Sequence, residues 1–160
     1  MADTFLRIYM NDQLAAGLVF RELARRSQRS NAGTELGDAL ERVASAIAED
    51  IETFERMMER LHLPRNRVKS VLALGGERAG RLKLNGRVRS YSPLSRFVEL
   101  DALAIGIDGK KLLWSNLRDH ANLAKRLPDV DFDHLIERAQ WQRDQLEPFR
   151  AKAGSESLGA

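Results

Sequence analysis

The stretch Ser92–Leu117, SPLSRFVELDALAIGIDGKKLLWSNL, decides the fold. Ser92 can cap the first amides of a helix, and Pro93 suits the first helical position, where its missing N–H is not needed. At about 100° per residue, Leu94, Val98, Ile105 and Leu112 fall on one face, while Leu100, Leu103, Ile107 and Trp114 fall on nearly the opposite one. A helix that is apolar on two faces is expected to be buried between several neighbours. Ala102, Gly106 and Gly109 lie between the faces. Two glycines inside a helix cost about 1 kcal/mol each relative to alanine, so they point to close approach of another backbone.

The flanking segments supply the neighbours. A first helix is expected from Asp3 or Thr4 to about Ser27, with Phe5, Ile8, Tyr9, Ala16, Val19, Phe20 and Leu23 on one face and Leu6, Met10, Leu14 and Leu18 on a second. Thr34 can cap a second helix reaching about His62, with a single stripe of Leu36, Leu40, Val43, Ile47, Ile51, Phe54, Met58 and Leu61. Pro64 can begin a third, shorter helix. Asn85-Gly86 then reads either as a hairpin turn or as a helix stop, and the stop is favoured because no other strand candidate exists to extend a two-stranded ribbon. The organising helix continues toward Arg126, Pro128 breaks it, and Asp129 or Asp131 caps a last helix whose inward face is Phe132, Leu135, Ile136, Ala139 and Leu146. Pro148 ends or kinks that helix.

The expected fold is therefore all-α, a bundle of four long helices plus a shorter crossover helix. Residues 1–152 would form a single domain and 153–160 a flexible tail. If the crossover returns along the bundle, the second and organising helices run parallel, as in ferritin-like folds; if it caps one end, the topology is up and down. The sequence leaves both open.

Composition narrows the function classes. Hydrophobic residues make up 43 % and charged residues 31 %, which excludes a disordered chain. The chain has no cysteine, so disulfides, thiolate metal sites and cysteine nucleophiles are excluded. No apolar run approaches the length of a membrane span and no leader is evident, so a cytoplasmic protein is expected. Between Leu63 and Val98 nine basic residues stand against Glu77 alone, giving +8, so the rest of a chain with total charge +3 carries −5.

No catalytic constellation stands in the sequence, and no cofactor is expected. The sole Glu-x-x-His, Glu59 to His62, falls on the solvated side of the second helix, and His134 lies opposite the apolar face of the last. Three carboxylates are better candidates. Asp101 and Asp108 sit one heptad apart beside Leu94, Ile105 and Leu112, and Asp12 falls within the apolar face of the first helix. Buried carboxylates must pair, bind metal or shift their pKa. The functional reading is a divalent-cation or small-ligand site of Asp12, Asp101 and Asp108. The favoured structural reading pairs them with Arg78, Arg81, Arg87 or Arg89.

Arg65, Arg67, Lys69, Arg78, Arg81, Lys83, Arg87 and Arg89 form a candidate anion or nucleic-acid surface, although no nucleic-acid-binding signature accompanies them. Trp141 with Arg138, together with Trp114, are candidate interface residues, since tryptophan and arginine are enriched at binding hot spots. The segments SPLSRFVELDALAIGIDGKKLLW and GRLKLNGR resemble parts of uncharacterised helical proteins of GC-rich bacteria, a likeness that implies a helical bundle and no activity. The leading expectation is a non-enzymatic homodimer that associates through the second apolar face of the first or organising helix.

Overall fold

A computed structural model describes residues 2–67 and 91–159, with positions 72 and 75 between them. Helix α1 spans Ala2–Ser30, α2 Glu35–Arg60, α3 Pro93–Asp119, α4 Leu123–Arg126 and α5 Phe132–Leu158. The described residues contain no strand. None of the helices they form is long and apolar enough to cross a membrane. Of the third helix expected from Pro64, Arg67, Leu72 and Gly75 are described and are helical, and the Asn85-Gly86 turn lies outside the described residues.

The starts of three long helices follow the capping chemistry of the sequence. Thr34 Oγ1 accepts from the Gly37 amide at 3.1 Å, Ser92 Oγ from the Ser95 amide at 3.1 Å, and Asp131 Oδ1 from the His134 amide at 2.9 Å. Each cap satisfies an amide that has no partner within its own helix. The α1–α2 turn is compact, helped by Gly33 at a φ of +77°.

Side-chain contacts set the helix directions. Asn11 meets the Pro64 carbonyl, so α1 and α2 are antiparallel. Asn116 meets Tyr9 and Glu99 meets Ser27, so α1 and α3 are antiparallel too. Arg150 meets Asp101 and Arg118 meets Asp133, which runs α5 against α3. It follows that α2 and α3 are parallel: Asp50 pairs with Lys110, and one turn on Phe54 packs against Trp114 with ring centroids 5.8 Å apart. The end of α2 and the start of α3 therefore lie at opposite ends of the bundle.

The core lies where four apolar stripes converge. It is built from residues such as Met10, Leu14, Leu40, Val43, Phe54, Met58, Leu103, Ile107, Trp114, Leu117 and Leu146. Two expectations need correction. The organising helix is not buried all round: Leu100, Leu103, Ile107 and Trp114 enter the core, whereas Leu94, Val98, Ile105 and Leu112 stay exposed, the last two at 67 % and 66 %. In α1, likewise, Met10 and Leu14 are inside while Phe5 and Ile8 are outside. The second correction concerns the tail. α5 passes through Pro148 to Leu158, with Ala153 buried and Gly154 close enough to Phe97 that a Cβ there would stand 2.9 Å from its ring. Pro148 is exposed, so water can satisfy the carbonyl that loses its helical partner.

Candidate functional site

At mid-bundle the heptad spacing of the core stripes of α2, α3 and α5 runs through a polar residue on each. On α2 the inward positions are Val43, Ile47, Asp50, Phe54 and Met57; on α3 they are Leu103, Ile107, Lys110, Trp114 and Leu117; on α5 they are Leu135, Ala139, Gln142 and Leu146. These helices place Asp50, Lys110 and Gln142 in one layer. Asp50 is 4 % exposed and Gln142 fully buried.

The layer is closely hydrogen-bonded. Lys110 Nζ donates to Asp50 Oδ2 at 2.6 Å and to Gln142 Oε1. Gln142 Nε2 returns a bond to Asp50 Oδ2 at 2.7 Å, and Arg138 Nε donates to Asp50 Oδ1 at 3.0 Å. Arg138 also reaches Glu49 and the Ala46 carbonyl. Two carboxylates and two cations therefore balance. Burial pushes the Lys110 pKa down, because a charge held away from water is costly, and the neighbouring Asp50 works in the opposite sense.

Beside this layer lies a cavity of about 230 Å³ lined by α1, α2 and α3. Lys110 and Asp50 supply its charged wall, and Phe20, Phe54, Leu103 and Trp114 much of its apolar wall. Ala16, Ile105 and Gly109 line it and are exposed, which marks the side facing solvent. The indole N–H of Trp114 is buried and has no hydrogen-bond acceptor among the described residues. An apolar pocket with a few convergent polar groups is the usual form of a small-molecule site. A lysine in such surroundings can form an imine or hold an acceptor. With Asp50 at 2.6 Å stabilising the ammonium, this one is set up to hold an acceptor.

A second polar cluster joins the C-terminal end of α1 to the start of α3. Glu99 accepts from Ser27 at 2.8 Å, Tyr91 at 3.1 Å and Arg26 at 3.2 Å. Asn31 links Tyr91 to Arg96, whose guanidinium lies 5.5 Å from the Tyr91 ring centroid. Burial, partly offset by the bond from Asn31, and then the Glu99 charge raise the Tyr91 pKa. Every member has a partner, so the cluster works as a clamp between helices.

The carboxylates expected to face inward are placed differently. Asp12 is exposed. Asp101 pairs with Arg150 at 3.0 Å, and Asp108 with Lys111 and Arg143 at 3.4 Å each. Both aspartates sit on the outer stripe of α3, where half-exposed carboxylates are easily solvated. Among the described residues no group of three or more His, Asp or Glu side chains is arranged to hold a metal ion. Glu59 pairs with Arg65 rather than joining His62 in a ligand set, and Arg65 also pairs with Glu55 at 3.0 Å. Arg67 is exposed, while Lys69, Arg78, Arg81, Lys83, Arg87 and Arg89 lie outside the described residues.

The interface candidates divide. Trp114 is 1 % exposed and belongs to the core, a correction that follows from its place in the inward heptad series. Arg138 is engaged by Asp50 and Glu49. Trp141 is exposed and lines a polar groove between α2 and α5 with His134 and Glu137. The sequence reading missed the Asp50, Lys110 and Gln142 layer. Its signal was the strict spacing of four and three, in which each of these residues interrupts an otherwise apolar series.

No family model, no curated protein and no solved structure matches the chain.

Proposed function

We propose that this chain is a non-enzymatic helical-bundle protein, ferritin-like in helix order, that works as a self-associated pair. The observation that carries this reading is the outer stripe of α3, Leu94, Val98, Ile105 and Leu112, all more than half exposed. It extends about 27 Å along the helix at 1.5 Å per residue. Phe5 and Ile8 of the neighbouring α1 add to the exposed apolar surface. A row of large apolar side chains left exposed along one helix face is the kind of surface that marks an interface.

A second copy of the same chain is the occupant that fits. The carboxylates on the stripe, Asp101 and Asp108, already carry counterions from Arg150, Arg143 and Lys111 of their own chain. An apolar partner can therefore close over the stripe without burying an unpaired charge. A stripe meeting its own copy about a two-fold axis is also the commonest form of oligomer interface. The cysteine-free composition suits a cytoplasmic setting for such a pair.

Light scattering tests the reading. At tens of micromolar the wild type should give twice the 18.1 kDa chain mass, and Val98→Glu with Leu112→Glu should give the single-chain mass with helical content retained. A wild type that is strictly monomeric under these conditions would overturn it.

A further inference from the structure

The polar layer has three occupied positions and one open one. Where α2, α3 and α5 contribute Asp50, Lys110 and Gln142, α1 contributes Gly17. A Cβ built on Gly17 would stand 3.6 Å from Ile51 Cγ1, an ordinary contact, so helix packing does not require the glycine. What the glycine leaves is part of the cavity wall. At about 230 Å³ the cavity is half as large again as one of roughly 150 Å³ that admits benzene.

Its chemistry defines what would fit. Most of the lining is aliphatic or aromatic, which calls for an apolar body. Lys110 has three N–H donors, of which Asp50 and Gln142 take two, and the third has no acceptor among the described residues. Because Asp50 and Glu49 already balance Lys110 and Arg138, an anionic ligand would bring an uncompensated charge into a site of low polarity. A neutral acceptor avoids that cost. We infer that the cavity between α1 and α3 binds a small neutral molecule, an aromatic ring or short chain bearing one carbonyl-type acceptor, with that acceptor on Lys110 Nζ. Ile105 of the outer stripe borders the cavity, but Val98 and Leu112 do not line it, so charging those two positions alters the stripe without changing the cavity wall.

Calorimetric titration of the full chain with three probes tests the inference. Acetophenone supplies ring and carbonyl, ethylbenzene the ring alone, and benzoate a ring with a charge. Acetophenone should saturate below about 1 mM, well within the ceiling for nine non-hydrogen atoms. The other two should bind at least about tenfold more weakly. Lys110→Met should bring acetophenone and ethylbenzene within about twofold of each other. Gly17→Leu should abolish binding of all three by filling the space. Should that variant fail to fold, Gly17→Ala, whose methyl meets only ordinary contacts, should still weaken acetophenone about threefold or more.

In the NMR spectrum acetophenone should move the indole N–H signal of Trp114 and leave that of Trp141, assigned with Trp141→Phe, unchanged. Binding should persist in Val98→Glu/Leu112→Glu, which separates this result from the fate of the dimer. No saturable acetophenone binding, equal affinity for ethylbenzene in the wild type, or binding that survives Gly17→Leu would each overturn the inference.

Discussion

Replacing Asp50 by asparagine removes the anion from the mid-bundle layer while keeping its shape. Asp50 accepts from Lys110 at 2.6 Å, Gln142 at 2.7 Å and Arg138 at 3.0 Å. Arg138 keeps Glu49, but Lys110 is left a buried cation without a counterion. Removing one partner of a buried pair costs about 3–5 kcal/mol. The charge contribution also has a ceiling, since Lys110 can escape by releasing its proton. From an ordinary value of about 10.4 that release costs about 1.36 kcal/mol per pH unit, or about 4.6 kcal/mol at pH 7.

Asp50→Asn is therefore predicted to lose about 3–4 kcal/mol at neutral pH. The sign with pH follows from the same group. Burial already holds the Lys110 pKa below its ordinary value, and loss of Asp50 lowers it further. A cation with a depressed folded pKa destabilises the fold below that pKa, and the loss is recovered as pH rises toward the unfolded value. The deficit relative to wild type should thus shrink as pH rises from neutral toward the ordinary lysine value of about 10.4 in urea unfolding. Asp50→Leu/Lys110→Met/Gln142→Met removes the buried polar layer at once, leaves Arg138 paired with Glu49, and should match or exceed the wild type, because an apolar layer of similar volume needs no desolvation of charge. A single-variant deficit below about 1 kcal/mol, with no pH dependence, would refute the reasoning, since that is how a solvated pair behaves.

Three further measurements follow. Gly37→Ala should destabilise the chain by about 2 kcal/mol or more, because a Cβ there would stand 2.2 Å from the Asn31 carbonyl oxygen and the turn backbone must move. Gly17→Ala should do the opposite and gain about 1 kcal/mol in urea unfolding, from helix propensity at a site with room for the methyl. Glu147, bonded by Arg150 and Arg143, has its pKa lowered to about 2 from an ordinary value of 4.5. Its contribution is thus complete above pH 4.5 and disappears as pH falls toward 2. Glu147→Gln should lower stability at neutral pH by about 1 kcal/mol at most, since the carboxylate is well solvated, and the difference should vanish in acid unfolding.

Local chemistry made much of the fold legible. Thr34, Ser92 and Asp131 are capping residues wherever they precede an apolar period, so the starts of α2, α3 and α5 could be read one helix at a time. Which of the two faces of α3 enters the core could not, since Leu94, Val98, Ile105 and Leu112 are as apolar as the face that packs. That choice depends on the neighbours. The inward assignment of Asp101 and Asp108 failed for the same reason, because it rested on taking their apolar companions as buried.

Pro148 misled differently. An interior proline removes one helical hydrogen bond and crowds the carbonyl four residues back, and at an exposed position the freed carbonyl can turn to water while the helix continues. The polar layer was hardest to see. A lysine on one helix, an aspartate on another and a glutamine on a third become a site only when parallel α2 and α3 bring them level. Single-helix periodicity marks each as an exception without revealing the partner.

The reading of the outer stripe as an interface between two copies is tested most directly by a single thiol. The native chain has no cysteine, so Ile105→Cys places one reactive group near the middle of the stripe, and Ala124→Cys places one on exposed α4 as a control. Under mild oxidation at tens of micromolar, Ile105→Cys is predicted to form a disulfide-linked dimer well before the control does. Equal, slow cross-linking of the two would contradict pairing through α3.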